Sequence, residues 1–270
     1  MSSRPLSLAA LTVLELSPVD MVSCAADAGY SHVGIRLIPA TDSEPSWPII
    51  GDTPLVREVE RRLADTGVQV LDIEIFRVKP DTCVEDYRAA LETGARLGAR
   101  HVLVAGNDPD ESRLIERFAA LCDLGAPLGL TMNLEPMPWT DVKTLRQGAR
   151  VVAGVVRPNA GVLIDPIHFD RAGDTATDIA LVPAQVFRYA QLCDAPAQRP
   201  KDTETLLYQA RAERLMPGDG GLDLKGILRA LPADLPLGAE VPMQKLAQSV
   251  GAVERARRIR VKTEQLLAAL

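Results

Sequence analysis

The sequence predicts an α/β protein: one (β/α)8 TIM barrel spanning residues 1–270. Three observations carry that expectation. The length is about what one such barrel requires. Short apolar runs alternate with longer amphipathic segments eight times, the pattern of parallel strands joined by crossover helices. Acidic side chains recur at the C-terminal ends of these runs, the rim where barrels carry their sites.

The first strand is read at 6–11. Its helix, Pro18 to Ala28, has proline in the first turn and stops at Gly29. The second strand, His32 to Arg36, leads through a Pro- and Ser-rich loop to a helix over Pro54 to Thr66, closed by Gly67. The third strand is Val68 to Glu74 and its helix Val84 to Leu97. The fourth is His101 to Ala105, followed by a helix over Glu111 to Ala126. The fifth is Leu130 to Glu135, and Asp141 is read as the N-cap of a helix to Val152. The sixth strand is Gly161 to Asp165, with a short helix over Thr177 to Val182. The seventh is Val186 to Leu192. A long loop from Asp194 to Gly221 follows, with a short helix around Leu206 to Arg214. Loops of that length inside a compact domain usually carry function. The last units are a helix over Asp223 to Leu231, a strand over Pro236 to Val241 and a helix from Lys245 to Leu267.

Net charge is −6 and the pI about 5.2. An acidic chain without a basic run lacks the positive footprint that nucleic acid requires. No apolar stretch approaches the roughly 20 residues of a membrane span. Cys24, Cys83, Cys122 and Cys193 form no Cys-x-x-Cys pair, and Met1 to Ala10 carries no export pattern, so a cytoplasmic protein with reduced thiols is expected.

Side chains alternate along a strand. With Leu71, Ile73, Met132, Leu134, Val162, Ile164 and Ala239 facing the helices, Asp72, Glu74, Asn133, Glu135, Asp165 and Glu240 face the barrel interior. Carboxylates so crowded cannot all stay ionised without a compensating charge. A divalent cation is the simplest, and oxygen-rich donors suit magnesium or manganese, with cobalt or zinc less well matched. Of the three histidines, His32 and His101 enter strands at the opposite barrel end and read as structural. His168, three residues beyond Asp165, reads as functional. Trp139 offers an apolar wall for a substrate. Arg36, with Arg77, offers a partner for a carboxylate or phosphate, or else for Glu74 and Asp72.

These residues resemble the sugar isomerase/epimerase superfamily of xylose-isomerase-like barrels, which includes ketose 3-epimerases, hydroxypyruvate isomerase and inosose dehydratase. The carrying pieces are Asn133-Leu134-Glu135-Pro136, Asp165-Pro166-Ile167-His168, Gln191-Leu192-Cys193-Asp194, the loop Pro217 to Asp223, and Gly238-Ala239-Glu240. The resemblance implies a metal held by Glu135, Asp165, Gln191 and Glu240, with glutamine standing where the family commonly has histidine. It implies that His168 meets the substrate. Asp194 would orient a ligand from behind, and Arg199 is the nearest match to an arginine the family often carries.

The implied chemistry is isomerisation or epimerisation of a small polyhydroxylated sugar, keto-sugar or sugar-acid through an enediolate. Glu135 and Glu240 would be the acid–base pair, and Arg36, Glu74, Trp139 and Arg199 the substrate contacts. A dehydratase on the same scaffold shares the first step and is the main alternative; a non-catalytic barrel subunit is another. A multi-zinc endonuclease would need more histidine and a basic surface. A homodimer is compatible with the fold.

Overall fold

A computed structural model describes residues 4–270. The strands are β1 (Leu6–Leu8), β2 (His32–Arg36), β3 (Gln69–Val78), β4 (His101–Gly106), β5 (Thr131–Glu135), β6 (Ala160–Val162), β7 (Ala190–Leu192) and β8 (Leu237–Ala239). They pair in parallel in the order β6-β5-β4-β3-β2-β1-β8-β7. A parallel bridge between Ile164 and Ala190, with the Gln191 N–H donating to the Ile164 carbonyl at 2.9 Å, joins the two ends of that order and closes the barrel. Among the described residues eleven α-helices accompany the strands: α1 (Pro18–Ala28), α2 (Pro54–Thr66), α3 (Arg88–Arg96), α4 (Glu111–Gly125), α5 (Leu145–Val155), α6 (Pro166–Ala172), α7 (Ala176–Ile179), α8 (Thr203–Ala212), α9 (Leu224–Ala230), α10 (Gln244–Ala247) and α11 (Ala252–Ala268).

Where start and stop chemistry is local, sequence and structure agree residue for residue. Ser17 accepts the Asp20 N–H at the head of α1, Pro18 follows, and Gly29 ends the helix at φ 84°. Thr53, Pro54 and Gly67 do the same for α2. Elsewhere long-range pairing moves the boundaries. The expected first strand stops at Leu8 because residues 10–13 turn into a 3-10 helix, and Thr12 Oγ1 donates to the Ala239 carbonyl at 2.7 Å. The fifth helix begins at Leu145 rather than Asp141, because Thr144 and Gln147 form a reciprocal capping box. The seventh strand begins four residues later than Val186, after a 3-10 turn at 184–186. The expected last helix is two, α10 and α11, separated at Gly251.

Two differences shape the site. The sixth strand pairs only to Val162; Ile164 makes the closing bridge, and Asp165 becomes the N-cap of α6, a helix the sequence pattern did not suggest. Leu71, expected on the helix face, packs inside with Ile75, Leu103, Ala105, Met137, Leu163 and Tyr189. The register explains it: Val33 pairs with Val70 and Gly34 with Asp72, so Leu71 is an extra residue in a bulge. Gly34 is required opposite, because a Cβ there would lie 2.9 Å from Asp72 Oδ1.

The main apolar core lies between sheet and helices, and the smaller cluster lies inside the barrel, where Ser7, Asp72 and Asn133 are also buried; its members Ile75, Leu103 and Met137 reach the cavity at the mouth. His101 stacks on Tyr189 with ring centroids 4.9 Å apart and shares a 2.7 Å hydrogen bond with Thr131, the structural role expected of it. Cys24, Cys122 and Cys193 are buried and free, and Cys83 is exposed and free. Among the described residues no helix is long and apolar enough to cross a membrane.

Candidate active site

Glu135 is the last residue of β5, Asp165 caps α6, Gln191 lies in β7, and Glu240 directly follows β8. Four separate strands thus deliver them to one end of the barrel, and each is at most 4% exposed. Gln191 Nε2 donates to Glu240 Oε1 at 2.9 Å. Asp165 Oδ1 accepts the Ile167 N–H at 3.0 Å, which fixes the carboxylate at the helix start. That same turn brings His168 back, its Nε2 3.7 Å from both Glu135 Oε1 and Asp165 Oδ2. One ligand atom each from Glu135, Asp165 and His168 lies within 4.8 Å of the others, a constellation able to hold a metal ion.

A residue not singled out in the sequence as part of the site stands in the middle of it. Arg214 is fully buried; its Nη1 donates to Asp165 Oδ2 at 2.6 Å and its Nη2 pairs with Glu240 Oε2 at 2.9 Å. Its Nε donates to the Ala210 carbonyl and its Nη1 also to the Glu240 carbonyl. Two antiparallel bridges place it there. Asp194 pairs with Leu215 and Glu213 with Met243, so the segment after α8 is stitched between the ends of β7 and β8. One guanidinium can balance only one of these three buried carboxyls when all are ionised.

The protonation balance follows. Burial, with Glu240 and Asp165 nearby, pushes the Glu135 carboxyl well above the usual range. Burial also raises Glu240, to about 8, against the opposing pull of Arg214. Asp165 is equally buried, but the Arg214 and His168 charges and the Arg214 hydrogen bond outweigh burial and hold it at about 2. Burial drops His168 to about 4, so the imidazole is neutral near pH 7. Glu135 Oε1, Gln191 Oε1 and His168 Nδ1 are buried without a hydrogen-bond partner. Orphaned acceptors of this kind, beside two carboxyls that lack the positive charge they need in order to ionise, fit a divalent cation.

Around this centre Trp139 meets His168 edge to face at 4.8 Å and lies under the Arg211 guanidinium, 5.6 Å from the ring centroid. Arg36 and Glu74 also line the cavity. Arg36 is already engaged, by Glu44 at 2.8 Å and Glu74 at 3.3 Å, so its charge is taken up by carboxylates. Arg199 is not brought to the cavity: it is half-exposed and pairs with Asp170, and the arginine of this segment that lines the cavity beside Arg214 is Arg211 of α8. Asp194 does not touch a site carboxylate. Its side chain accepts the backbone N–H groups of Ala195, Gly218, Gly220 and Leu222, pinning the Pro-Gly loop beneath β7. Gly220 is needed for that approach, since a Cβ there would sit 2.3 Å from Asp194 Oδ1.

Known proteins share this architecture. The chain is 28% identical over 201 residues to a 3-dehydroshikimate dehydratase of Pseudomonas aeruginosa, covering 68% of this chain and 31% of that protein. It is 24% identical over 161 residues to an inosose isomerase of Bacillus subtilis, covering 55% of each. The chain therefore spans less than two thirds of either relative's length. A solved structure, the IolI protein with a bound zinc atom, superposes with a TM-score of 0.79 at 18% identity over 98% of both chains. The profile of the xylose isomerase-like TIM barrels matches residues 22–260. With that match across most of its length, the chain belongs to the xylose isomerase-like TIM barrel family.

Proposed function

We propose that the protein is a divalent-metal-dependent enzyme that removes a proton beside the carbonyl of a small polyhydroxylated substrate, leading to isomerisation or epimerisation. The observation that carries this reading is the buried cluster of Glu135, Asp165 and Glu240, which the single Arg214 guanidinium cannot hold fully ionised, with unpartnered oxygens on Glu135 and Gln191. Glu135, Asp165, Gln191 and Glu240 would hold the ion, and four oxygen donors favour Mn2+ or Mg2+ over Co2+ or Zn2+. When bound, the ion would polarise the substrate carbonyl and stabilise negative charge on the adjoining oxygens.

The remaining work falls to the chain. Glu135 and Glu240 are delivered from β5 and β8, and form the acid–base pair. One carboxylate takes the proton from the carbon next to the carbonyl. The other, carrying a proton, returns it to the opposite face of that carbon for epimerisation, or to the neighbouring carbon for isomerisation. Each such positioned transfer contributes about 10²–10⁴-fold. Neutral His168 has one ring nitrogen without a partner and hydrogen-bonds a substrate oxygen. Trp139 walls the cavity and excludes water. Arg214 orients Asp165 and Glu240.

A second reading, dehydration, has specific support in the 28% identity to a dehydratase. The first proton removal is the same. The second glutamic acid then protonates a departing hydroxyl, and a conjugated product absorbs in the ultraviolet. The test is deuterium wash-in from heavy water with ketoses, inososes and 3-dehydroshikimate, using manganese-loaded protein and its Glu135→Gln and Glu240→Gln variants. Exchange that disappears in both variants is expected. Exchange retained in both removes the proton-transfer assignment.

A further inference from the structure

Most arginines of this chain have carboxylate partners. Arg96 pairs with Glu60, Arg113 with Asp108, Arg150 with Glu111 and Arg157 with Asp123. Two at the barrel mouth do not. Arg77, near the end of β3, donates to Asn107 Oδ1 at 3.1 Å and more distantly to the Ala40 carbonyl at 3.5 Å. Arg211, in the last turn of α8, stands over the Trp139 ring. Neither guanidinium has an ion-pair partner among the described residues.

They face the same space as the site carboxylates. Arg77, Arg211 and Trp139 line one cavity with Glu135, His168 and Glu240. They also line the adjoining outer cavity of about 1060 Å3, which opens the site to solvent. Burial and the charges of Arg211 and Arg36 pull Arg77 below its ordinary value, while Glu135 and Glu44 pull the other way; none of the acids lining the outer cavity, Asp42, Glu44, Asp81, Asp86 and Asp141, pairs with either guanidinium. Arg36 and Arg214 cannot serve, because carboxylates of the chain already occupy them. A guanidinium fork matches the geometry of carboxylate and phosphate oxygens, and two forks beside an aromatic face form a receptor for a compact anion.

We propose that Arg77 and Arg211 form an anion subsite that grips a carboxylate or phosphate of the substrate, with Trp139 supporting the carbon skeleton between that group and the reacting carbons. This rests on the reading of the cavity as a site for a polyhydroxylated carbonyl compound, and narrows it to an anionic one. The pair determines specificity and does not move protons.

The test is calorimetric binding to the full chain, with and without Mn2+, of three probes: D-gluconate, D-fructose 6-phosphate and D-fructose. At least one anionic probe binds about tenfold or more tighter than D-fructose, given that a charge-assisted bidentate contact is worth on the order of one to two decades of affinity. A preference for gluconate identifies carboxylate, and a preference for fructose 6-phosphate identifies phosphate. Arg77→Gln and Arg211→Gln each lower that affinity about tenfold and leave D-fructose unchanged; Arg211→Lys recovers part of the loss. Equal binding of all three probes, or anionic binding indifferent to both Gln variants, overturns the subsite. Manganese content is measured on the same samples. Retained metal with no anion preference removes the subsite alone, whereas loss of metal from the wild type strikes the reading of the site itself.

Discussion

Replacing Arg214 by methionine probes the charge balance of the site. The side chain is fully buried, with ion pairs to Asp165 at 2.6 Å and Glu240 at 2.9 Å. Methionine fills part of the volume but leaves Asp165, Glu240 and Glu135 without a cation. Breaking a buried pair from one side costs about 3–5 kcal/mol. At roughly 2–4 °C per kcal/mol for a chain of this size, the chelated variant unfolds on the order of 10 °C below the chelated wild type at pH 8. The defect depends on pH with a definite sign. Arg214 holds Asp165 at about 2 against its burial, so losing the guanidinium lets burial carry that carboxyl above its unfolded value near 3.8. A carboxyl raised in the folded state contributes stability below its unfolded value and loses it as pH climbs toward the folded value, whereas the wild-type Asp165 stays ionised throughout that range. The variant is therefore closest to wild type near pH 5 and furthest from it at pH 8. Thermal unfolding followed by circular dichroism at both pH values, in chelator, measures this. A Tm difference under about 2 °C at pH 8, or one equal at both pH values, would refute the argument that Arg214 neutralises these acids.

Other expectations follow from single contacts. Asp194→Ala leaves four backbone N–H groups of the Pro-Gly loop without their acceptor and lowers stability by about 3 kcal/mol in chemical denaturation; a change under about 0.5 kcal/mol would mean the loop is held by other contacts. Gly220→Ala, whose Cβ would meet Asp194 Oδ1 at 2.3 Å and the Ala195 carbonyl oxygen at 2.4 Å, destabilises the same loop; in an Asp194→Ala background only the Ala195 clash remains, so the two effects together fall short of their sum. Burial and the nearby Arg188 charge lower His101 to about 4; its unfolded form takes up a proton between about pH 6.5 and 4 that the folded form refuses, so it contributes about 3 kcal/mol of acid destabilisation across that window. His101→Gln should remove that part of the acid slope in denaturant titrations, and an unchanged slope would contradict it.

The sequence was legible where structure is written locally. Proline before and glycine after an amphipathic run bounded α1 and α2, because those residues set backbone angles by themselves. The strand pattern placed Glu135, Asp165 and Glu240 at one barrel end because side-chain alternation and the strand count need no tertiary information, and the family resemblance added Gln191. It failed where a distant partner decides. Leu71 turned inward because Gly34 in β2 skips it in the register. Asp165 left the sheet because its carboxylate caps α6. Arg199 and Arg214 differ by 15 positions along the chain, and spacing alone favoured the former. The choice is made by bridges from 213 and 215 to the ends of β8 and β7, which fold the long loop back over the barrel. The one local sign of Arg214 was its place three residues ahead of Pro217-Gly218 in a loop long enough to reach the site.

The central claim is that the cluster of Glu135, Asp165, Gln191 and Glu240 needs a divalent cation. The most direct measurement is metal content per chain by elemental analysis after loading with Mn2+ and removing the excess. The account predicts one ion per wild-type chain and none in an Asp165→Asn, Glu240→Gln double variant that keeps its circular dichroism spectrum. A folded wild-type protein that retains no ion, or a double variant that retains as much, would contradict it.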